Sequence, residues 1–439
     1  MMLQSPKAFL ITLGGMLTAL LAMAVVAVLW LNVRGEDALP AAEDAFTTTP
    51  ALVVRGEYLA RAGNCAACHT ARGGVPFAGG RAIETPFGTV YGGNLTPDPA
   101  TGLGRWTASE FWRALHNGRS RDGRLLAPVF PYTNFTQVTR DDSDALFAFL
   151  RSLPPVVQAP VSGSLRFPYN TQAALAVWRA LYFSPRMPTD AHQEEATRSP
   201  EWRRGAYLVR GLGHCNACHA SRNALGATSG SGPLEFGGGL IPMQGWYAPS
   251  LSSAEEAGVA DWPVQEVVSL LQHGVSGQAS ALGPMAEVVF RSTQHLSAAD
   301  LKAMAVFLKS LPPTPPAASR RSATVNVDLA KGRKLYEKQC ADCHGLQGEG
   351  AVRERLPGGP LAYPALAGNR AVTMAASTNL VRVIRSGGIA PATVGNPRPY
   401  SMPPFDLGAE DLAAVVSYIR SSWGNQAAPV SAAEVLGAQ

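Results

Sequence analysis

The chain writes the pattern C-x-x-C-H three times, and this repetition restricts its possible folds more than any other feature. The whole sequence contains six cysteines, so the three motifs use all of them and leave none for pairing elsewhere. Each motif must therefore be explained by its own local chemistry. The residues concerned are Cys65, Cys68 and His69, then Cys215, Cys218 and His219, and finally Cys340, Cys343 and His344.

Two cysteines followed directly by a histidine are the sequence pattern of c-type haem attachment. The two thiols, one helical turn apart, each add to a vinyl group of the porphyrin, and the adjacent imidazole becomes the proximal iron ligand. Zinc half-sites come in pairs and need no histidine at that place. A thioredoxin-type redox pair needs a βαβ context, which is not visible here. We therefore predict three covalent c-type haems, with the six cysteines as attachment points and the three histidines as proximal ligands.

Length and composition describe a globular chain of several domains. At 439 residues, the chain has room for about three domains of roughly 150 residues each. Its 46% hydrophobic and 16% charged residues are typical of globular proteins. The formal charge of +5 is modest, and no long basic run with interleaved aromatics is present. Nucleic acid is therefore not an expected partner, since phosphate binding requires clustered lysines and arginines.

The N-terminus carries an apolar segment at 8–31, which we interpret as a transmembrane anchor or a signal. A helix of this length would extend roughly 36 Å, enough to cross a hydrocarbon core of about 30 Å. A cleavable signal peptide is the alternative, because Ala22-Met23-Ala24 has the small residues of a cleavage site, although its apolar region usually has only about 7–15 residues. Either interpretation exports the rest of the chain. The expected location is the bacterial inner membrane, with the haem domains in the periplasm.

The three motifs lie in three copies of one module. A short helical stretch with an aromatic residue precedes each motif, and an amphipathic helix with an acidic residue near its start ends each module. We expect the two terminal helices of each module to cross, with the aromatics packed together. The early aromatics are Tyr58, Tyr207 and Tyr336, and the late ones are Phe149, Phe307 and Tyr418.

Segments rich in proline, serine and alanine mark the predicted domain boundaries. Domain 1 is expected at 50–160, followed at 161–198 by a linker that contains a helix. Domain 2 is expected at 199–313, a second linker at 314–326, domain 3 at 327–424 and a polar tail at 425–439.

The sixth iron ligand differs among the copies. A methionine beside a proline, after the middle helix, is the expected distal ligand, and its thioether raises the reduction potential. Modules two and three supply Met285 and Met402 at this place. Module one has Phe130 instead, which cannot ligate iron. Its candidates are His116, Met187 or no ligand at all, and the remaining histidines carry no motif and receive no role.

Several longer phrases make the chain resemble a known family. They are RGAYLVRGLGHCNACHASRNALG at 204–226, GWYAPSL at 245–251, GPMAEVVFRSTQHLSAADL at 283–301 and RSLPP at 151–155. With the three motifs, they resemble the triple-haem cytochrome c subunit of membrane-bound bacterial dehydrogenases for alcohols, gluconate and aldehydes. The resemblance implies a mostly α chain of three tandem, class I-like cytochrome c domains after an N-terminal transmembrane helix.

The resemblance also implies function. Such a subunit collects electrons from a separate dehydrogenase catalytic subunit, of flavin, quinone-cofactor or molybdenum type, and passes them to ubiquinone or a terminal oxidase. It implies His69, His219 and His344 as proximal ligands, with Met285 and Met402 distal. The family often has Pro-Ala-Met-Pro-Tyr where this chain has Pro-Val-Phe-Pro-Tyr at 128–132. The chain also carries an N-terminal anchor where the family has a C-terminal amphipathic one.

Two functional hypotheses follow from these observations. The first is an electron-transfer subunit without a catalytic site of its own. The second is a self-sufficient haem enzyme, a peroxidase or quinol oxidase, working at an open first haem. The modules, linkers and anchor use the whole chain and leave no room for a flavin, quinone-cofactor or molybdenum domain. They also contain no obvious acid/base pair, which favours the first hypothesis, and the substrate would then be a property of the partner.

Overall fold

The computed structural model describes residues 6–40, 46–185, 197–228, 234–277, 279–314, 327–352 and 361–438. It begins with a single long helix, α1 (Pro6–Val33), as the apolar run predicts. Within the described residues, α1 alone is long and apolar enough to cross a membrane, and a signal sequence would have the same properties. The rest is mostly helical, with four two-stranded sheets among the described residues.

Module 1 starts where Thr49 caps a helix by accepting a hydrogen bond from the Leu52 N–H, with proline in the first turn. Its middle helix ends at Gly118, which has the left-handed φ of 61° that glycine adopts without strain. A further helix lies between modules 1 and 2. The elements are α2 (Pro50–Ala62), α3 (Cys65–His69), β1 (Ala82–Thr85), β2 (Gly88–Tyr91), α4 (Ala108–Asn117), α5 (Tyr132–Phe135), α6 (Arg140–Ser152) and the intervening α7 (Gln172–Tyr182).

Module 2 repeats this order with one local change. Cys215 lies ten positions after Gly205, whereas Cys65 lies nine positions after Gly56 in module 1. The extra residue is taken up by a π-helical turn at Tyr207–Leu212, which directly follows the first helix. The elements are α8 (Pro200–Ala206), α9 (Asn216–His219), β3 (Gly239–Ile241), β4 (Trp246–Ala248), α10 (Val264–His273), α11 (Pro284–Arg291), a 3₁₀ turn (Thr293–His295) and α12 (Ala298–Lys309).

Module 3 has the same terminal helices and a short final helix packed on its last one. This final helix lies within the segment that the sequence suggested as a polar tail, where Ser431 and Glu434 form a capping box and Val435 is fully buried. The elements are α13 (Leu329–Gln339), α14 (Ala341–His344), β5 (Ala351–Val352), β6 (Leu361–Tyr363), α15 (Arg370–Thr373), α16 (Thr378–Ser386), β7 (Gly388–Ile389), β8 (Ser401–Met402), α17 (Ala409–Ser421) and α18 (Ala432–Gly437).

The first and last helices of every module cross at a glycine. A Cβ at any of these glycines would lie closer than 3.0 Å to a backbone carbonyl oxygen of the other helix. Only glycine therefore permits this approach, and the predicted crossing of terminal helices is present in all three modules. The pairs are Gly56 with Ala145, Gly205 with Ala303, and Gly332 with Ala414.

The predicted packing of early on late aromatics is confirmed in module 3 and wrong in modules 1 and 2. In module 3 the rings of Tyr336 and Tyr418 have centroids 5.7 Å apart. In the other two modules the early tyrosine reaches across to the neighbouring module. The Tyr58 hydroxyl donates to Asp300 Oδ2 at 2.6 Å, and the Tyr207 hydroxyl donates to Asp142 Oδ2 at 2.5 Å. The physical reason is the position of the tyrosine on its helix. Tyr58 and Tyr207 each lie two residues after the crossing glycine of their module, whereas Tyr336 lies four residues after Gly332.

These two tyrosines belong to a reciprocal pair of polar clusters. Arg204 donates to both carboxylate oxygens of Asp300 at 2.8 and 2.7 Å, and Arg55 donates to Asp142 at 2.7 and 2.5 Å. Each cluster thus joins an arginine and an aspartate of one module to a tyrosine of the other. The buried apolar residues of modules 1 and 2 also form one continuous core, separate from that of module 3. Modules 1 and 2 therefore pack as a pair through equivalent surfaces, as an approximate two-fold relation requires.

Replacing Asp300 by Asn should weaken this pairing. Burial by itself raises the pKa of Asp300, but hydrogen bonds from Arg204 and Tyr58 hold this pKa below its usual value. Its charged form is thus stabilised in the folded state, and we expect Asp300→Asn to cost about 1–3 kcal/mol of unfolding free energy at neutral pH. This stability is present above the unfolded-state pKa of about 3.9 and is lost as the pH falls through the lower folded-state value.

Thermal unfolding at pH 7 and pH 3 tests this expectation. The difference between wild type and Asp300→Asn should shrink at the lower pH, because the wild-type carboxylate then begins to protonate. Asp411→Asn is the matched control, since Asp411 pairs with Lys331 beside the crossing glycine of module 3 and both side chains are more exposed than Asp300. An equal loss of unfolding free energy in both variants would show that the contact between modules 1 and 2 adds no stability.

Candidate haem sites

The three motif histidines are held in the same way. The Nδ1–H of each donates to a backbone carbonyl oxygen: His69 to Gly93 at 2.7 Å, His219 to Pro249 at 2.7 Å and His344 to Pro364 at 2.9 Å. This bond fixes the tautomer in which Nε2 has a free lone pair. Burial lowers the pKa of all three imidazoles, which keeps them neutral. Each histidine is thus prepared to ligate a metal through Nε2.

The motif cysteines are free thiols, as covalent attachment of a haem requires. None of the six forms a disulfide. Burial raises the pKa of Cys65 and Cys215 to about 12 and that of Cys340 to about 11. Redox-active C-x-x-C pairs have the opposite property, a thiol pKa lowered toward or below neutrality. The raised pKa values of these thiols therefore argue against a thioredoxin-like role for the motifs.

The motifs open into two cavities. Cavity 1, of about 2130 Å³, is lined by Cys65, Cys68 and His69 of the first motif. Cavity 2, of about 560 Å³, is shared by the second and third motifs and is lined by both His219 and His344. The side chain of Cys218 lines both cavities. The three sites therefore form a continuous series, with the second site in the middle.

The lining of cavity 2 fits a porphyrin. The indole Nε1 of Trp262 is buried and has no hydrogen-bond partner among the described residues, although the side chain lines the cavity. A buried donor of this kind needs an acceptor, and a haem propionate would supply one. Trp106 lines cavity 1 at the corresponding position. The apolar walls, the neutral imidazoles and this orphaned donor together fit haem c.

Both methionines that the sequence suggested as distal ligands line cavity 2. Met285 lies in the first turn of α11, half-buried against the core of modules 1 and 2. Met402 lies on β8, where it pairs with Gly388 of β7 and packs against the core of module 3. The structure thus brings each methionine to the cavity that holds the histidine of its own module.

Phe130 occupies in module 1 the place of Met285 in module 2. The Leu126 N–H donates to Gly118 O just as the Ala281 N–H donates to Gly274 O, at the left-handed end of the middle helix in each module. Counting four residues onward from Leu126 and Ala281 gives Phe130 and Met285. Phe130 lines cavity 1, so a phenyl ring stands where the second module has a thioether.

The other two candidates for the first site are not brought to it. His116 is stacked on Trp112 with ring centroids 4.4 Å apart and is not among the side chains that line cavity 1. Met187 lies outside the described residues. The described residues therefore bring neither of these two candidates to the first site.

His214 is a residue that sequence reasoning missed. It lines both cavities, and its Nε2 donates to Gly63 O, two residues before Cys65, at 3.3 Å. Asn64 lies at the equivalent place before Cys65, and both residues have a left-handed φ, 39° for His214 and 50° for Asn64. The available signal was their shared position directly before the first cysteine of a motif.

Comparison with known proteins agrees with this geometry. The family model for cytochrome c matches residues 53–154 and 329–423. The cytochrome c subunit of the quinone alcohol dehydrogenase of Gluconacetobacter polyoxogenes is 39% identical over 401 residues, which are 88% of this chain and 83% of that protein. The gluconate 2-dehydrogenase cytochrome c subunit of Pantoea cypripedii is 38% identical, covering 88% and 89%. The fructose dehydrogenase cytochrome subunit of Gluconobacter japonicus is 32% identical, covering 91% and 85%.

Proposed function

Because this chain belongs to the family that includes the cytochrome c subunits of alcohol and gluconate dehydrogenases, we propose that it carries three covalent haems and links a catalytic subunit to the respiratory chain. Electrons would come from a separate dehydrogenase subunit of flavin, quinone-cofactor or molybdenum type. They would leave to ubiquinone or a terminal oxidase. The observation that carries this proposal is the series of three motif sites along two cavities that share the lining residue Cys218.

The middle module supports the count of three. The family model leaves it unmatched, yet it repeats the crossing glycine, the bond from histidine Nδ1 to a backbone carbonyl and the cavity-lining methionine. We therefore assign cytochrome c domains to 50–160, 199–313 and 327–424, with linkers at 161–198 and 314–326. The segment 425–438, which the sequence suggested as part of a polar tail, then belongs to the third domain, since α18 packs on α17.

Each residue of a site has a defined task in this proposal. The two cysteines would hold the macrocycle covalently, the histidine would supply a nitrogen ligand to the iron, and Met285 or Met402 would supply a sulfur ligand. When bound, the haem iron accepts and releases one electron at a time. Neighbouring sites lie close together. Cys218 of the second motif lines both cavities and lies close to Cys68 of the first, and the second and third motifs share a common cavity.

A membrane location is supported by the way α1 meets module 1. Arg179 of α7 is buried, and its Nε donates to Asn32 Oδ1 at 3.0 Å near the end of α1. Just beyond α1, Glu36 pairs with Arg119 of module 1 at 2.9 Å. A retained α1 would hold this module at the surface of the bacterial inner membrane, with the haem domains in the periplasm. A lipid-soluble acceptor such as ubiquinone would then be within reach of the first site.

The alternative, a self-sufficient peroxidase or quinol oxidase, has the support of one observation. Phe130 stands in the first site where the second site has Met285, so no methionine occupies this position. An enzyme that binds its substrate at iron would require such an open position. The two hypotheses differ in whether electrons from a partner's substrate reach this chain.

The proposal predicts three haems per chain. Pyridine haemochrome on the denatured, acid–acetone-extracted protein should give close to three, and the double variant Cys215→Ala, Cys218→Ala should give two. Purification of the tagged chain from its native membranes should retain a dehydrogenase subunit whose substrate reduces the haems. A count of two in the wild type, or haems that no co-purified dehydrogenase reduces, would contradict the proposal.

A further inference from the structure

We propose that Arg370 of module 3 is a positioning residue for the haem of module 2, and that it acts through the loop at 258–262 to set the reduction potential of that haem. The inference rests on the proposed haem at Cys215 and Cys218. It goes beyond electron transfer itself, because it gives a residue of one module a task at the site of another. The potential of the second haem then depends on the docking of module 3.

The first step is the contact between Arg370 and module 2. Arg370 is the first residue of α15, and its side chain is 26% exposed. Its Nη1 donates to Gly258 O at 2.7 Å, and its Nη2 donates to Asp261 Oδ2 at 2.6 Å. The guanidinium carbon also lies 5.8 Å from the centre of the Trp262 ring, within the range of a cation–π interaction. One side chain of module 3 thus holds three points of a short loop in module 2.

The second step connects this loop with the second haem site. Trp262 is buried, lines cavity 2, and has an indole Nε1 without a hydrogen-bond partner among the described residues. Val259 of the same loop and Arg370 itself also line the cavity. Trp106 lines cavity 1 at the corresponding place, together with the whole first motif, which assigns this tryptophan to the haem of its own module. The indole donor of module 2 therefore stands on a loop that Arg370 holds in place.

A comparison of modules 1 and 2 shows what Arg370 adds. In each module a basic residue at the end of the last helix donates to carbonyl oxygens of the tryptophan loop, Arg151 in module 1 and Lys309 in module 2. The residue directly before the tryptophan differs, because module 1 has Arg105 there and module 2 has Asp261. Module 2 thus carries an acid where module 1 carries a base, and Arg370 compensates this acid.

The third step gives the sign of the effect. Reduction of a haem iron adds one negative charge, so a nearby cation raises the potential and a nearby anion lowers it. Without Arg370, the carboxylate of Asp261 would remain uncompensated beside the haem site. The Asp261 side chain is 60% exposed, and ion pairs at such exposed positions contribute little to folding stability. Either partner can therefore be replaced in a protein that still folds.

Potentiometric titration of the full-length holoprotein in low-salt buffer tests the inference. Arg370→Gln should lower one of the three transitions, and Asp261→Asn should raise the same one. The double variant should return close to the wild-type value, because it restores the net charge of the pair. A contact that only supports the fold would give the same direction of change in both single variants. Lys302→Gln is the matched control, since Lys302 pairs with Glu201 in module 2 and neither side chain lines cavity 2, and it should move no transition.

The outcomes separate the inference from the proposed function. Met285→His marks the transition of the second haem, because it replaces the distal ligand proposed there. The inference is overturned if Arg370→Gln shifts the transition that Met402→His moves, if both single variants shift in one direction or not at all, or if Lys302→Gln has an equal effect. In these cases three haems per chain leave the electron-transfer proposal intact. A wild-type haem count of two, with the second motif empty, instead defeats the proposed function.

Discussion

Gly205→Ala should prevent the second module from folding around its haem, although it adds only one methyl group. The new Cβ would lie closer than 3.0 Å to Ala303 O and 2.8 Å from the Cβ of Phe307, so α8 and α12 would have to move apart. In an exposed helix interior, the same change stabilises by about 1 kcal/mol. Here we expect the opposite sign and a loss at or above the roughly 1–3 kcal/mol typical of overpacking, because a backbone carbonyl cannot rotate away.

The expected readout is a lower haem count and a lower melting temperature. Since modules 1 and 2 share one core, the damage should extend to the first module more than to the third. Gly437→Ala is the control, because a Cβ at this position of α18 would have nothing within 4 Å. A Gly205→Ala protein that retains three haems and the wild-type melting temperature would show that the helices do not cross closely there.

The sequence could predict candidate sites, because haem attachment is a local requirement. Two thiols and a histidine lie at a fixed spacing, and a methionine beside a proline follows 66 residues after His219 and 58 residues after His344, so the pattern is visible without any tertiary information. The structure brings His219 and Met285 to one cavity, and His344 and Met402 to the same cavity. The family itself was predicted on these residues and is confirmed by relatives that are 37–39% identical over most of the chain.

Contacts between modules could not be predicted in the same way. Tyr58 and Asp300 lie 242 positions apart, and nothing in the local sequence of either indicates the other. The internal repeat led to the expectation that all three early tyrosines pack alike. Tyr336 lies two residues further from its crossing glycine than Tyr58 does, however, so Tyr336 packs within its own module whereas Tyr58 contacts module 2. A repeat in sequence therefore predicts the fold of a module but not the partner of its surface.

Buried arginines are a second feature that the local sequence does not predict. Arg179 lies on the helix between modules 1 and 2, and it is almost fully buried against Asn32 and the carbonyl of Asn117. Arg420 is likewise buried, donating to the carbonyls of Val372 and Met374. A guanidinium can be buried when its donors are satisfied, and which carbonyls satisfy them is decided by tertiary structure alone.

Met402→His should lower the reduction potential of the third haem by a large part of the roughly 0.8 V range that axial ligands set. The imidazole nitrogen stabilises ferric iron relative to a thioether, which favours the ferrous form. β8 holds residue 402 against Gly388 and beside cavity 2, so the new imidazole would enter the part of the cavity that the methionine side chain lines. Potentiometric titration should show one of three transitions move down while two remain.

Met374→Leu is the matched control for this variant. Met374 also belongs to module 3 and lines the same cavity, but it is buried at 4% exposure, and leucine conserves its volume. If Met374→Leu lowers a transition and Met402→His does not, the distal ligand of the third haem is Met374. In the wild type the lowest transition should belong to the first haem, because Phe130 provides no thioether to stabilise ferrous iron. Phe130→Met should then raise that transition, so the two variants move different haems in opposite directions.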